Sequence, residues 1–336
     1  MIGLAEVQTA ASRLQGVADA TPCVPSALSA HLGATLWLKL ELCQPMGAFK
    51  LRGAMNALSR LPADAPGVIC CSTGNHGRAV AYAAARLGLQ AVVCMSELVP
   101  QAKVDGIRAL GARVHIHGTS QDAAQSEATR LAQEEELIDI APFDHPDVIA
   151  GQGTIALEML RQRPELDTLL IPLSGGGLAA GMACAAKAVK SGIRVIGLSM
   201  NRGAAMAASL TAGHPVEVTE VASLADSLGG GIGAQNQHSF AMCQRFLDDV
   251  VLLEESEIYH AMQALYFEDR LVAEGASVVG LAALLSGKVP PSAEMGTVIT
   301  GRNVDMEQFT HVISGRPVTL GDFILTGAPY ARPAPS

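Results

Sequence analysis

At 336 residues the chain is long enough to bury one large core or two ordinary ones. Apolar residues make up 49% and charged residues 16%, a balance that excludes a disordered chain. A net charge of −9 with no Lys/Arg cluster argues against nucleic-acid binding through phosphate neutralisation.

The N-terminus, Met1-Ile2-Gly3-Leu4-Ala5-Glu6, lacks the basic segment and apolar core of a secretion signal. No apolar run reaches the roughly 20 residues that span a bilayer, so no membrane partner is expected. Short apolar runs predict strands at 36–40, 68–72, 91–95, 113–117, 169–172, 194–198, 250–253 and 297–300. Amphipathic or alanine-rich stretches predict helices at 51–61, 76–87, 102–110, 122–136, 147–161, 178–189, 257–270 and 277–285. This alternation reads as an α/β protein with mainly parallel sheets covered by helices on both faces. Cysteines at 23, 43, 70, 71, 94, 184 and 243 form no C-x-x-C pair, so neither a zinc ribbon nor a disulfide framework is encoded. Free thiols in that number point to a reducing cytoplasm. The proline-rich stretch 328–336 is expected to fray.

Three motifs carry chemistry. Lys50 sits in Pro45-Met46-Gly47-Ala48-Phe49-Lys50-Leu51-Arg52-Gly53, where a desolvated site beside Phe49 would favour a neutral amine. Ser72-Thr73-Gly74-Asn75-His76-Gly77 joins a strand to a helix, and read alone its Asn75 is a helix-capping residue. Ser174-Gly175-Gly176-Gly177-Leu178 follows a strand and opens a helix, an arrangement that binds phosphate through free backbone amides. A reactive lysine together with an anion-cradling loop suggests a Schiff base to a phosphorylated aldehyde. The loop also satisfies the dinucleotide pattern G-x-G-x-x-A. The next strand, however, runs into Ser199-Met200-Asn201 and offers no acid for a ribose, which argues against an NAD-dependent oxidoreductase.

In this order and spacing the motifs resemble the fold-type II pyridoxal-phosphate enzymes, specifically the serine/threonine dehydratase and serine racemase family. The resemblance spans about residues 10–305. It implies two open, twisted sheets of the tryptophan synthase β type, with a large unit from 1–62 and 148–336 and a small mobile unit from 63–147. It also implies a homodimer. By the same likeness Lys50 carries the cofactor, Asn75 meets the ring hydroxyl oxygen, and Ser72, Thr73, Asn75 and His76 hold the substrate carboxylate. Thr300 would face the pyridine nitrogen, as a neutral partner that favours elimination over transamination. Glu274 resembles the family glutamate near the cofactor ring, although it could equally be an ordinary helix cap. The activity implied is α,β-elimination of water from a β-hydroxy amino acid to give a 2-oxo acid and ammonia, with amino-acid racemisation as the alternative.

Several positions depart from the common pattern. Ala48 stands where many relatives have serine, and Thr73 stands where serine racemase has its second acid/base serine. The methyl group of Thr73 crowds that position, which disfavours racemisation. Ser199 and Ala204 replace the carboxylates of a family cation site, so no metal is expected there. The stretches 93–100 and 224–233 look most like the hydroxyectoine-utilisation dehydratases. Hydroxyectoine itself has no free primary amine, so an open-chain amino acid is the expected substrate. The glycines at 229–231 suggest a roomy pocket for threonine, 3-hydroxyaspartate or phenylserine. The regulatory unit that some biosynthetic dehydratases append is not expected.

Overall fold

A computed structural model describes residues 2–99 and 101–332, without the side chains of Ala102, Gln121 and Asp122. The chain opens with α1 (Leu4–Arg13), β1 (Cys23–Pro25), the single turn α2 (Ser29–Leu32) and β2 (Thr35–Lys39). Helix α3 (Lys50–Leu58) leads to β3 (Val68–Cys71), α4 (Asn75–Leu87), β4 (Ala91–Met95) and α5 (Gln101–Arg108). Next come β5 (Arg113–Ile116), α6 (Gln121–Glu134) and the two-residue β6 (Ile138–Asp139). Helix α7 (Pro146–Gln162) is followed by β7 (Thr168–Pro172), α8 (Gly177–Val189), β8 (Arg194–Met200), α9 (Ala205–Ala212), α10 (Ser239–Phe246) and β9 (Asp249–Leu253). The remaining elements are α11 (Glu255–Asp269), α12 (Val279–Leu285), β10 (Glu294–Val298), α13 (Met306–Ile313) and the hairpin β11 (Val318–Leu320) and β12 (Phe323–Leu325).

A six-stranded sheet runs β1-β2-β10-β7-β8-β9, and a four-stranded sheet runs β5-β4-β3-β6. Every pairing in both is parallel except β1 with β2. The α/β class and the mainly parallel sheets are those the alternation predicts. Strand alternation sorts the larger core into two layers. Leu36, Leu38, Leu170, Ile196 and Leu198 face α11 and α12, while Leu169, Ile171 and Val195 face α7 and α8. Helix α3 is buried from Leu51 to Leu58, packed between α4 and α7, so its position depends on the cores of both sheets.

Some boundaries differ from expectation. The late strand is Glu294–Val298 rather than 297–300, which places Thr300 in the loop beyond it. β6 escaped notice because two residues show no periodicity, and α9 because its stretch is mostly apolar without a polar stripe. Residues 328–332 make contacts with the body of the protein, whereas 333–336 lie outside the described residues. The Tyr330 ring stacks on Phe267 at 5.1 Å and its hydroxyl donates to Glu268 at 3.1 Å, while Gln263 Nε2 donates to the Ala328 carbonyl at 2.9 Å. Aromatic burial and satisfied backbone outweigh the proline content.

Candidate active site

The loop after β2 and the loop after β10 are zipped together. Ala48 bridges to Gly301, the Phe49 amide donates to the Thr300 carbonyl at 2.9 Å, and the Arg302 amide donates to the Gly47 carbonyl at 3.0 Å. This places Lys50, the first residue of α3, beside Thr300 at the rim of one cavity of about 290 Å³. Ser72, Thr73, Asn75 and His76 reach it from the β3–α4 turn, and Ser174–Leu178 from the β7–α8 turn. Both turns lie at carboxyl ends of parallel strands, where the sheet leaves room for ligands. Phe49, Lys50 and Thr300 complete the predicted set in the lining. Glu274 is the exception and does not line the cavity.

Lys50 Nζ donates to the Pro142 carbonyl at 2.6 Å. Although the side chain is reachable from the cavity, desolvation of its ammonium pulls the pKa down to about 8. His76 is buried, and desolvation first and Lys50 second lower its pKa to about 3. Its Nε2 lies 2.6 Å from the Ile140 carbonyl, so the neutral ring carries its proton there and leaves Nδ1 as an acceptor.

Asn75 does not cap α4. Gly74 occupies that position without a side-chain cap, and Asn75 is the first helical residue. Its Nδ2 donates to both Glu274 oxygens at 3.0 Å, and its Oδ1 accepts from Asn303 Nδ2 at 2.7 Å. Glu274 therefore stands behind Asn75 as its clamp, and it caps nothing with its side chain. It also accepts from the Asn303 amide at 2.9 Å and from Ser227 Oγ at 3.4 Å. Burial raises its pKa, and those donors oppose the rise. Thr300 Oγ1 lies 2.9 Å from Ser277 Oγ, a neutral hydroxyl pair with no carboxylate bonded to it.

The glycine loop is needed for a different reason than anion approach alone. A Cβ on Gly175 would sit 2.3 Å from the Phe143 ring, and one on Gly177 would sit 2.9 Å from the Phe143 backbone. Gly176 has φ +90° and would meet Met206 at 2.6 Å. The glycines let protein pack close behind the loop while α8 presents its N-terminal amides to the cavity.

Sequence reading missed Lys103, Pro142, Phe143, Asp226, Ser227, Leu228, Ala276 and, as a lining residue, Pro172, and of the three glycines at 229–231 only Gly229 lines the cavity. Segment 140–144 is the main omission. It follows β6, accepts hydrogen bonds from Lys50 and His76, and lays Phe143 behind the glycine loop. Its Asp144 carboxylate accepts from the backbone amides of Gln237, His238 and Ser239 at 2.7–2.8 Å. Recognising β6 as a strand would have flagged this segment as a strand's carboxyl end.

Residues 14–301 match the family described as "Pyridoxal-phosphate dependent enzyme", and the chain belongs to that family. A Sinorhizobium fredii protein provisionally named a threonine dehydratase is 52% identical, over 94% of this chain and 96% of its own length. The biosynthetic L-threonine dehydratase IlvA of Haemophilus influenzae is 38% identical over 90% of this chain, which spans only 60% of that protein. Maize serine racemase superposes with a TM-score of 0.87 at 30% identity, covering 92% of this chain and 96% of the racemase.

The residues present fit the cofactor. A lysine amine with a pKa of about 8 suits an aldehyde, and the N-terminus of α8, lining the cavity through 174–178, suits a phosphate. The Thr300 hydroxyl, paired with Ser277 Oγ, is a neutral group that would suit a ring nitrogen.

Proposed function

We propose that this chain is a dehydratase, or ammonia-lyase, that converts a β-hydroxy amino acid of the threonine/serine, 3-hydroxyaspartate or phenylserine type into a 2-oxo acid and ammonia. One observation carries the reading: a lysine whose pKa burial lowers to about 8, a glycine loop opening a helix and a strand-to-helix turn share a single cavity. The dehydratase names of the relatives at 52% and 38% identity support it.

Lys50 would hold the cofactor aldehyde, residues 174–178 its phosphate, Asn75 its ring oxygen and Thr300 its ring nitrogen, with Phe49 closing one side. When bound, pyridoxal phosphate supplies an electrophilic carbon for an amine and an electron sink next to the substrate Cα. Ser72, Thr73, Asn75 and His76 bind the substrate carboxylate where α4 presents its free amides. Glu274 and Asn303 hold the Asn75 amide in place, and a ligand oxygen would take over one of the two Nδ2 bonds to Glu274. Once the substrate amine has taken its place, the freed Lys50 Nζ would remove the Cα proton, a task for which the lowered pKa of the free amine, about 8, keeps both protonation states accessible near neutral pH. The bulk of Thr73 leaves the opposite face without an efficient proton donor. Residues 63–147, which include the four-stranded sheet, close over the cavity as the mobile unit, and the working form is a cytoplasmic homodimer. Among the described residues no helix is long and apolar enough to cross a membrane.

Racemisation is the second reading, favoured by the likeness to maize serine racemase. A panel of β-hydroxy amino acids, assayed in parallel for 2-oxo acid and by chiral chromatography, separates the two. Oxo-acid formation should exceed enantiomer formation by more than roughly tenfold, or about 1.4 kcal/mol between barriers. Activity should persist in EDTA, because Ser199 is buried against Met200 Sδ and neither it nor Ala204 carries a carboxylate. Predominant epimerisation would replace the dehydratase reading.

A further inference from the structure

We propose that His115, His117 and Glu127 form a binding site for one divalent transition-metal ion, zinc or a close relative, on the outer edge of the four-stranded sheet. His115 lies on β5, the edge strand, and the His117 amide extends the ladder by donating to the Met95 carbonyl at 2.9 Å. Residues two apart on a strand share a face. The two rings lie at 17° to each other with centroids 6.3 Å apart. Glu127 reaches over them from α6, and one donor atom from each of the three lies within 4.8 Å of the others.

His115 Nε2 is already 2.9 Å from Glu127 Oε1. Two ligands around a tetrahedral zinc stand about 3.4 Å apart, given bonds of about 2.0–2.1 Å. That pair therefore needs only a small separation once the Nε2 proton that bonds the carboxylate has moved to Nδ1, and the exposed His117 supplies the third bond by a side-chain rotation. Two imidazoles and a carboxylate favour zinc, nickel, copper or cobalt over magnesium and calcium. Three protein ligands leave a position for water.

Arg130 is the competitor for the carboxylate. Its Nε and Nη2 each contact Glu127 at 2.7 Å, but its Nη1 also holds Glu134 at 2.5 Å. A metal on Oε1 displaces only Nη2. The Nε bond to Oε2 and the Glu134 ion pair keep the guanidinium beside the ligand, where its positive charge opposes that of the metal. None of the three residues lines the cavity. The ion would cross-link the edge strand to α6 and stabilise the fold, with no part in turnover.

Calorimetry on the holoenzyme with zinc chloride tests this, supported by the visible spectrum of the cobalt form. One equivalent per chain is expected, at least tenfold weaker in His117→Ala and absent in the His115→Ala/His117→Ala double variant. Zinc should raise the Tm of the wild type and leave that of the double variant unchanged, and magnesium should do neither. Arg130→Gln should bind zinc more tightly, since it removes the competing cation. If the cluster is only a surface ion-pair network, Arg130→Gln gains no affinity and the wild type takes up no zinc. Either that result or undiminished uptake by the double variant overturns the site.

Discussion

Lys39 and Lys50 flank the same loop, and the protein treats them in opposite ways. Lys39, at the end of β2, is fully buried, with its Nζ 2.6 Å from Glu158 Oε2 and 2.6 Å from the Thr21 carbonyl. Burial lowers its pKa, while the Glu158 carboxylate opposes the fall. Arg52 joins the same cluster, bonding both oxygens of Glu41 at 2.8 Å and those of Glu158 at 2.7 and 2.9 Å. Lys50 has a neutral carbonyl as its hydrogen-bond partner, and burial is the one cause of its shift to about 8. A buried lysine with a carboxylate is a structural cation, whereas one without becomes a nucleophile near neutral pH. Two residues beyond Lys50, Arg52 anchors α3 in this ionic cluster and so holds the reactive amine in place.

The largest effect expected is from Lys50→Ala. Turnover should fall by at least about 10³-fold, from loss of both the covalent anchor and the general base. Borohydride reduction followed by peptide mass spectrometry should find the cofactor on Lys50 in the wild type and on no lysine in the variant. A reduced adduct on Lys39 would reverse the contrast drawn here.

The ionic cluster should fail in stability and leave the chemistry intact. Glu158→Ala leaves Lys39 without its carboxylate and should cost about 3–5 kcal/mol in denaturant unfolding. Lys39→Met should lose less, because Glu158 keeps Arg52, and should retain the visible band of bound cofactor. Burial raises the Glu158 pKa, but Arg52 and Lys39 outweigh it and hold the group below 4.5. Its contribution is therefore complete above that pH and is lost as the pH falls through the lower folded-state value. A change below about 1 kcal/mol for Glu158→Ala would mark the cluster as no stronger than an exposed pair.

The candidate site was legible in the sequence where the local chemistry is unusual, and not where it is assembled from loops brought together by the fold. Lys50, Asn75 and the 174–178 loop stand out because glycine turns at strand ends are rare patterns with a physical cause. Phe143 and Asp144 lie in a stretch, 143–146, that resembles the wider family, but no role could be read for them, because their contacts to 175–177 and 237–239 are distant in sequence. The capping reading of Asn75 failed for the same reason: its partners, Glu274 and Asn303, lie some 200 residues away. The parallel sheets were legible from apolar runs bounded by turns, but β6 was too short to show a period. The strand at 113–117 and the helix at 122–136 were legible, but not the packing that sets Glu127 above the H-x-H pair.

The smallest effect expected is also the most direct reading of the Lys50 environment. With a pKa of about 8, roughly a tenth of the amine is neutral at pH 7, roughly 300-fold more than for a lysine titrating at 10.5. Covalent cofactor uptake by the cofactor-free protein should therefore rise about tenfold per pH unit below 8 and level off above it. Pyridoxine phosphate lacks the aldehyde, so its affinity over the same range isolates any pH dependence of non-covalent binding. A second consequence follows from linkage. Between about 8 and 10.5 the unfolded chain keeps a proton on this lysine that the folded cofactor-free protein has lost, so stability should rise with pH across that window. Uptake that kept climbing up to pH 10 would mean that the amine titrates like an exposed lysine. The carbonyl of Pro142 would then be an ordinary hydrogen-bond acceptor, and the desolvation ascribed to Lys50 would have no chemical consequence.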